Sequence, residues 1–386
     1  MDTHTFFGYR RSDGQIGVRN HVAIISASDN ANFVASRIHS LVLGTVAITP
    51  GFGRGEIGED LAQHIRTLSG LGLSPNVYGV VVVSLEPVIA EKVAAPIRAG
   101  GKPVEVVTID NCGGSMGATM QGVKIAERMV IDASRMMREE VDFSCLRIGL
   151  ECGGSDSTSG MITNPAIGLL SDFIVEKGGS VIVSEVAEWI GAEQALVRQA
   201  ATPEIGQAII RVVEETEAYA LSKGLDIPST NPAPDNIKGG ITTLEEKSLG
   251  AVKKGGKTPI RQLVRNAEWP TEKGLIFMEA PAPGVENTTA LSAAGCQLVL
   301  FATGKGNAIG NPVTPTVKVT ANPYTIERVA ENIDIDLSGA FTEGWSLEKT
   351  SDHLHYSFVE HLNGKLTTAE VLGDTVVSVT RQGYTV

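Results

Sequence analysis

The feature that most constrains this chain is a series of short apolar segments, rich in β-branched residues, that alternate with segments of helical periodicity. The apolar segments include HVAIISA at 21–27, VYGVVVVSL at 77–85, VEVVTI at 104–109, CLRIGLE at 145–151 and SVIVSE at 180–185. Nearly continuous apolar strands of this kind are buried on both faces, as in parallel sheets covered by helices. The sequence therefore predicts an α/β fold with mostly parallel sheets and flanking helices, arranged as two Rossmann-like domains.

The segments between these strands place apolar residues three and four positions apart, which predicts helices at 32–41, 87–100, 117–141 and 201–224. We expect an N-terminal α/β domain over residues 1–143, which ends after the charged stretch RMMREEVDFS, and a C-terminal α/β domain over 144–386. Residues 223–260 are rich in Gly, Pro, Asn and Lys, which predicts a long irregular loop in the second domain.

Charge and composition exclude several classes of protein. The 386 residues carry a formal net charge of −12, so a basic face for nucleic acid or for an anionic membrane is not expected. No apolar run reaches the roughly 18 to 20 residues of a membrane-spanning helix, and the N-terminus resembles neither a signal peptide nor a transit peptide. The four cysteines have no paired spacing, which favours reduced thiols. We expect a cytoplasmic protein.

Four glycine-rich turns each follow an apolar segment: TPGFGRGEIGED (49–60), TIDNCGGSMGA (108–118), ECGGSDSTSG (151–160) and FATGKGNAIGNP (301–312). Ligands of open α/β sheets bind outside the carboxyl ends of the strands, where such turns meet. Glycine allows close backbone approach and leaves N–H groups free to hold an anion. The alternative is that each turn is only a tight connection. Neither nucleotide-binding fingerprint is present, so we predict a crevice for a small anion.

Carboxylates are the most available acid–base groups near these turns. A nucleophilic Cys152 would need a nearby base, and no histidine lies in the turns. Glu185 and Glu188 in SEVAEWIGAE are three residues apart, so on a helix they would share one face. Together with Asp156 they offer oxygen ligands for a divalent cation. The alternative for Glu188 is a solvated helix face, and for the charged run that contains Lys247 it is plain surface.

Five stretches resemble, in order, the large domain of the altronate and galactarate dehydratase family: GYRRSDGQIGVRNHV, ECGGSDSTSGMITNPAIGLLSD, SEVAEWIGAE, NIKGGITTLEEKSLGAVKKGG and ATGKGNAIGNPVTPTVKVTANP. The resemblance runs from about Gly8 to about Gly373. It implies a lyase that eliminates a group from C3 of an acidic 2-hydroxy carboxylate and leaves a 2-keto acid, with iron or another divalent metal. It also implies an oligomer with a separate small subunit of about 100 residues, the size of an ordinary domain.

The chain departs from the sugar-acid dehydratases at one turn. PGFGRG stands where they typically carry an HxHGCG turn, so Phe52 and Arg54 replace potential metal ligands. GRGEIGEDLAQHIR, the dipeptide Glu86–Pro87 and GKGNAIGNP resemble the branch that contains the sulfolactate sulfo-lyase beta subunit, whereas ECGGSDSTSG is nearer the dehydratase form. Both branches remain open at this stage.

Both chemistries begin with loss of the C2 proton, which requires neutralisation of the neighbouring carboxylate. Sulfite leaves as a stabilised anion, and the planar fork of Arg54 suits its oxygens. We therefore favour sulfite release from 3-sulfolactate to give pyruvate. The alternatives are a sugar-acid dehydratase, which removes water from altronate or galactarate to give a 2-keto-3-deoxy acid, and a non-catalytic subunit.

These arguments predict three sets of site residues. The predicted catalytic residues are Arg54, Glu185 and Lys247. The predicted substrate-binding residues are Arg54, Gly153, Gly154, Ser155, Ser157, Thr158, Thr242, Thr243, Thr303, Gly304 and Lys318. The predicted ligands of a divalent metal, Fe²⁺ by resemblance, are Cys152, Asp156, Glu185 and Glu188.

Overall fold

A computed structural model describes residues 3–386 and confirms the α/β prediction. The described residues form fourteen strands. These are β1 Thr5–Arg10, β2 Ile16–Gly17, β3 His21–Ser26, β4 Thr45–Ile48, β5 Val77–Ser84, β6 Val104–Thr108, β7 Glu139–Asp142, β8 Arg147–Cys152, β9 Ser180–Val183, β10 Ile260–Arg265, β11 Gly274–Glu279, β12 Leu298–Ala302, β13 Thr316–Thr320 and β14 Ile335–Asp336.

Fifteen α-helices connect and cover the strands in the described part of the chain. These are α1 Asn32–Leu41, α2 Gly58–Leu73, α3 Pro87–Ala99, α4 Ser115–Ala133, α5 Asn164–Glu176, α6 Glu193–Gln199, α7 Pro203–Ser222, α8 Ile227–Thr230, α9 Pro234–Lys238, α10 Leu244–Val252, α11 Gly284–Ala293, α12 Pro323–Val329, α13 Gly339–Thr342, α14 Leu347–Leu362 and α15 Thr368–Leu372. None of them is both long and apolar enough to cross a membrane.

The strands assemble into two parallel sheets and one small antiparallel sheet. The first parallel sheet has the order β4-β3-β5-β6, and the second has the order β10-β11-β9-β8-β12-β13-β14. The antiparallel sheet has the order β2-β1-β7. Because neighbouring strands of the seven-stranded sheet are parallel, their carboxyl ends lie along one edge, where ligands of such sheets bind.

Strand β5, with the sequence VYGVVVVS, shows how an apolar strand is buried on both faces. In β5, Val81 and Val83 belong to one apolar cluster with residues of α1 and α4. Val80 and Val82 belong to another, with residues of α2 and α3. Successive side chains of a strand point to opposite faces, so a strand that is covered on both sides needs apolar residues at every position.

Two buried amides join the three sheets. The Oδ1 of Asn76 accepts from the backbone N–H groups of Val18 (2.9 Å) and Arg19 (3.2 Å), and its Nδ2 donates to the carbonyls of Gln297 (2.9 Å) and Val313 (3.1 Å). The Nε2 of Gln297 in turn donates to the carbonyl of Ile16 at 2.7 Å. Asn76 is fully buried, so it satisfies four backbone groups at a junction that no single secondary-structure ladder covers.

Two local predictions were wrong. The helix predicted over 117–141 ends at Ala133, and Glu139–Asp142 forms a strand antiparallel to β1, since its charged residues offer no apolar helix face and only Val141 is buried. Residues 223–260 are not one irregular loop: they contain three short helices, α8 to α10. The hydroxyl of Thr243 begins α10 by accepting from the N–H of Glu246 at 3.1 Å, a capping signal that the glycines obscured.

We expect Asn76→Ala to lower the free energy of unfolding by about 3 to 5 kcal/mol, because four buried hydrogen bonds are lost and their backbone partners stay buried. Asn111 is exposed, and Asn111→Ala should change this free energy by less than about 0.5 kcal/mol. Urea unfolding measures both. Equal midpoints for the two variants would contradict the structural role of Asn76.

Candidate active site

Cys152 and Glu185 lie side by side at the carboxyl edge of the seven-stranded sheet. Leu150 pairs with Val183, so the same register two residues later brings Cys152 beside Glu185. The Glu185 carboxylate accepts from the N–H of Cys152 at 2.9 Å. Glu185 has φ 73°, a left-handed conformation that costs a non-glycine residue about 1 to 3 kcal/mol and is concentrated at functional sites.

Lys254 completes this group, and the sequence analysis missed it. Its Nζ donates to Glu185 Oε2 and to Cys152 Sγ, both at 2.7 Å, and its side chain is about 1% exposed. Lys254 lies in a 3₁₀ turn after α10, and the hydroxyl of Ser171 in α5 donates to its carbonyl at 2.7 Å. In the sequence, Lys254 lies in the same charged stretch as Lys247. Because α10 ends at Val252, helical spacing from Lys247 does not fix the direction of the Lys254 side chain.

Burial sets the charges of this group. Burial raises the pKa of Glu185 to about 7, although the nearby Lys254 ammonium opposes the rise. Burial and the Glu185 carboxylate hold the pKa of the Cys152 thiol well above its usual value. Burial by itself would lower the pKa of Lys254, but Cys152 and Glu185 outweigh it and raise that pKa. Near neutral pH we therefore expect a Lys254 cation, a neutral thiol and a Glu185 that gains and loses a proton.

A second carboxyl group lies on the opposite face of β8. The Nδ2 of Asn287 in α11 donates to Glu151 Oε2. Burial and the neighbouring Glu185 raise the pKa of Glu151 well above its usual value, which favours the neutral acid. Glu151 Oε1 and Asn287 Oδ1 are buried without a hydrogen-bond partner among residues 3–386.

Glu188 is buried and not part of a solvated helix face. Its Oε1 lies 2.8 Å from the Nζ of Lys247, which also donates to the Asn231 side chain at 2.9 Å. Glu185 and Glu188 do not share the face of an α-helix, because Glu185 precedes a 3₁₀ turn at Val186–Glu188. The two carboxylates therefore have two different lysines as partners.

Asp156 locks two glycine-rich turns together. Its Oδ1 accepts from the Thr158 hydroxyl at 2.7 Å, and its Oδ2 accepts from Asn322 Nδ2 at 2.7 Å. Asn322 Nδ2 also donates to the carbonyl of Gly304, whose N–H donates to the carbonyl of Gly154 at 2.9 Å. The turns at 151–160 and 301–312 thus form one unit. A Cβ on Gly304 would lie 2.2 Å from Asp156 Cγ, so this position requires glycine.

A cavity of about 200 Å³ lies beside this unit. Its wall includes Ser155, Ser157 and Lys247, and also the carboxyl groups of Asp156 and Glu246, which are hydrogen-bonded to the Thr158 and Thr242 hydroxyls. Hydroxyl groups and an ammonium group can hold the oxygens of a carboxylate or of another small oxyanion. The cavity therefore has the chemistry of a site for a short acidic molecule.

Several predicted binding residues have other roles in the structure. The N–H of Gly153 donates to the carbonyl of Ala302 at 2.6 Å, so it is not available to a ligand. At the start of α10, the N–H and hydroxyl of Thr242 donate to the Glu246 carboxylate, and the hydroxyl of Thr243 accepts from the N–H of Glu246.

Thr303 is buried and lies against Gly153, where a Cβ would come within 2.8 Å of Thr303 Cβ. Lys318 Nζ lies 3.7 Å from Asp334, and its register with Phe301 and Glu151 places it on the face opposite Cys152.

Arg54 lies on an exposed turn after β4, in the unit built on the four-stranded sheet. The next residue, Gly55, accepts at its carbonyl from the N–H of Val386 at 2.9 Å. Hydrogen bonds join the turn that contains Ser155 to the turn that contains Thr303. Arg54 belongs to neither of these two turns.

The four predicted metal ligands do not fit a divalent cation in this arrangement. Cys152 and Glu185 both contact the Lys254 ammonium, and Glu188 contacts Lys247. Asp156 is occupied by the donors described above. A metal ion between Cys152 and Glu185 would take the place of an ammonium, and like charges repel strongly in a buried site. Within residues 3–386 no cluster of three or more His, Cys, Asp or Glu side chains is arranged to hold a metal.

Comparison with known proteins identifies the family. The family described as "D-galactarate/Altronate dehydratase, C-terminal" matches residues 143–385, and "D-galactarate dehydratase/Altronate hydrolase, second domain" matches residues 8–134. The chain belongs to the galactarate and altronate dehydratase family. The resemblance expected from the sequence is thereby confirmed.

Curated relatives of this family member are named as lyases. The (2R)-sulfolactate sulfo-lyase subunit beta of Chromohalobacter salexigens is 36% identical over 98% of this chain and 97% of the relative. The altronate dehydratase of Bacillus subtilis is 32% identical over 100% of this chain and 79% of the relative. The galactarate dehydratase of Escherichia coli is 29% identical over 95% of this chain and 74% of the relative. These names place the chain among lyases.

We expect Gly304→Ala to lower lyase activity by about 100-fold, because the new methyl group displaces Asp156 and shifts the turn that lines the cavity. Gly51 is the matched control: a Cβ there meets nothing within 4 Å, so Gly51→Ala should retain activity. Steady-state kinetics and thermal unfolding of both variants test this. A fully active Gly304→Ala variant would show that the lock between the turns is dispensable.

Proposed function

We propose that this family member is a lyase that eliminates sulfite from 3-sulfolactate and leaves pyruvate. The wall of a small cavity includes Ser155 and Ala251, which lie three residues from Cys152 and from Lys254 in the chain. The observation that carries the proposal is the buried group of Glu185, Lys254 and Cys152 at the carboxyl edge of the sheet. It combines a carboxylate that titrates near neutral pH with positive charge, which are the two requirements of elimination next to a carboxylate.

In this proposal Glu185 is the base that takes the C2 proton. A pKa near 7 lets a carboxylate be ionised at neutral pH and still accept a proton effectively. Ser155 and Asp156 in the cavity wall follow Cys152 by three and four residues, and in this proposal the substrate lies between that wall and Glu185. Lys254 does not itself act on the substrate; it is a positioning residue that orients the Glu185 carboxylate.

The cavity residues would hold the substrate. The hydroxyl groups of Ser155 and Ser157 and the ammonium of Lys247 bind its carboxylate and stabilise the enediolate that forms as the C2 proton leaves. The electron pair of the C2–H bond becomes the C2–C3 double bond, and the C–S bond pair departs with sulfite. The resulting enol of pyruvate then tautomerises to the keto acid.

Two observations support sulfolactate over a sugar acid. The sulfo-lyase subunit is 36% identical and nearly equal in length, whereas the dehydratases are 29% to 32% identical and longer. The cavity of about 200 Å³ is also below the roughly 300 to 1,000 Å³ of ordinary ligand pockets, which favours a three-carbon substrate. Water removal from altronate or galactarate is the second candidate, supported by the three dehydratase relatives.

The proposed lyase also includes a separate small subunit. The beta-subunit name of the C. salexigens relative points to a partner in that enzyme. The dehydratases extend beyond the region that this chain matches, which is 74% to 79% of their length. We propose that this chain, like the beta subunit that it resembles, works with a small partner subunit. The requirement for Fe²⁺ stays a prediction.

An assay of the purified chain distinguishes the candidates. The chain is incubated with 3-sulfolactate, altronate or galactarate, with and without the partner subunit of the C. salexigens enzyme, and with and without Fe²⁺ under anaerobic conditions. Sulfite and pyruvate from sulfolactate support the sulfo-lyase. A 2-keto-3-deoxy acid from altronate or galactarate supports the dehydratase instead, and no product under any condition would leave a non-catalytic subunit.

The role of Glu185 predicts a pH profile. Because the base must be deprotonated and its folded-state pKa is about 7, kcat/KM should rise with pH through about 7 and fall below it. Glu185→Gln should lower kcat by about 10²- to 10⁴-fold. Exposed Glu327→Gln, the matched control, should keep both the rate and the profile. An active Glu185→Gln variant with an unchanged profile would rule out this base.

The role of Lys254 predicts a shift of the same profile. Lys254→Met removes the positive charge that opposes the burial effect, so the pKa of Glu185 should rise further and the rising limb should move to higher pH. Lys254→Arg keeps the charge and should move the limb less, which separates the electrostatic role from a loss of folding. A profile that Lys254→Met does not move would contradict the positioning role.

A further inference from the structure

A large groove lies between α5 and α14, away from the candidate active site. Its volume is about 730 Å³, and Leu169, Phe173 and Leu347 give it apolar walls. Its polar lining is mainly acidic, with Asp172, Glu176, Glu348 and Asp352 beside the ammonium of Lys257, and the Lys177 ammonium lies 5.3 Å from the centroid of the Phe173 ring. A groove that combines an apolar floor with the exposed carboxylates of Glu176 and Glu348 suits a segment that carries both apolar and basic side chains.

The groove lies beside the N-terminal end of the described chain. The carbonyl of Thr3 is 2.7 Å from the Nε2 of His355 in α14. The His355 ring meets the Phe173 ring edge to face, with centroids 5.1 Å apart, and Phe173 forms part of the groove. Residues 8–134 match what is described as the second domain of the family, so a first domain on the same polypeptide would enter next to this groove.

The groove is also connected to the Lys254 group through one short segment. Asp172 Oδ1 accepts from the N–H groups of Lys257 (2.7 Å) and Thr258 (3.1 Å), which follow Lys254 by three and four residues. At its other end, α5 begins four residues after the turn at 151–160. A partner bound in the groove would therefore contact the same helix and segment that hold Lys254 in place.

We propose that this groove is the docking site of the small partner subunit, and that it binds a basic, partly apolar segment of that subunit. The inference rests on the proposed function for the existence of the partner and adds where and how the partner binds. Carboxylates at the groove would steer the basic segment into place, while contact with Phe173 and the leucines would exclude water from the centre.

Charge reversal tests the docking site. Glu176→Lys combined with Glu348→Gln changes the groove by three charges, and Lys at position 176 suits the C-terminal end of α5. Glu327→Lys combined with Glu331→Gln changes the exposed α12 region equally and is the matched control. The probe is the partner subunit of the C. salexigens enzyme, and calorimetry at low and moderate salt gives its Kd.

We expect the groove variant to bind about tenfold or more weakly at low salt, with a smaller salt dependence than the wild-type chain, while the control binds as the wild type does. Equal binding by the groove and control variants, or no binding by the wild-type chain, would overturn the docking site. If the groove variant binds more weakly but the wild-type complex shows no turnover, the proposed function is refuted and the docking site is not. If turnover requires the partner but is the same in the groove variant and the wild-type chain, the docking site is refuted and the proposed function is not.

Discussion

The buried ammonium of Lys254 is the interaction on which the candidate site depends. Removing a charge from water costs several kcal/mol, so a lysine that is about 1% exposed must have compensating partners. Glu185 supplies the opposite charge and Cys152 supplies a second acceptor, each at 2.7 Å. Removing Glu185 would leave the Lys254 charge uncompensated, and removing Cys152 would cost a buried hydrogen bond. The 3₁₀ turn after α10, the end of β8 and the segment after β9 are therefore held in one arrangement.

The same arrangement accounts for the strained backbone at Glu185. Glu185 lies two residues after the end of β9, and its left-handed conformation lets its carboxylate accept from both Lys254 and the N–H of Cys152. The energy stored in this conformation is offset by two charge-assisted hydrogen bonds in a dry environment. A preorganised carboxylate of this kind needs no rearrangement when it takes a proton, which is a property that catalysis by elimination requires.

Asp156 joins two loops through hydrogen bonds, as Lys254 joins the segments at the edge of the sheet. It fixes the turn at 151–160 to the turn at 301–312 through Asn322 and through the space left by Gly304. These contacts fix the turn at 151–160, which forms one wall of the cavity beside Lys247. The acidic groove on α5 is connected to the same region, because Asp172 in the groove wall accepts from the N–H groups of Lys257 and Thr258, which follow Lys254.

The sequence by itself determined the class of fold, because strands that are apolar at nearly every position, such as β5, are typical of parallel sheets covered by helices on both faces. Its motifs, such as ECGGSDSTSG, determined the family. It also indicated Glu185, Lys247 and the turn at 151–160 as parts of a site. Only the tertiary structure decided their roles. A sequence does not show which buried partner neutralises a carboxylate, so Lys254 was missed and Glu188 could be read as solvated. Nor does it show which backbone N–H groups are already bonded, as that of Gly153 is, since such contacts join residues far apart in the chain.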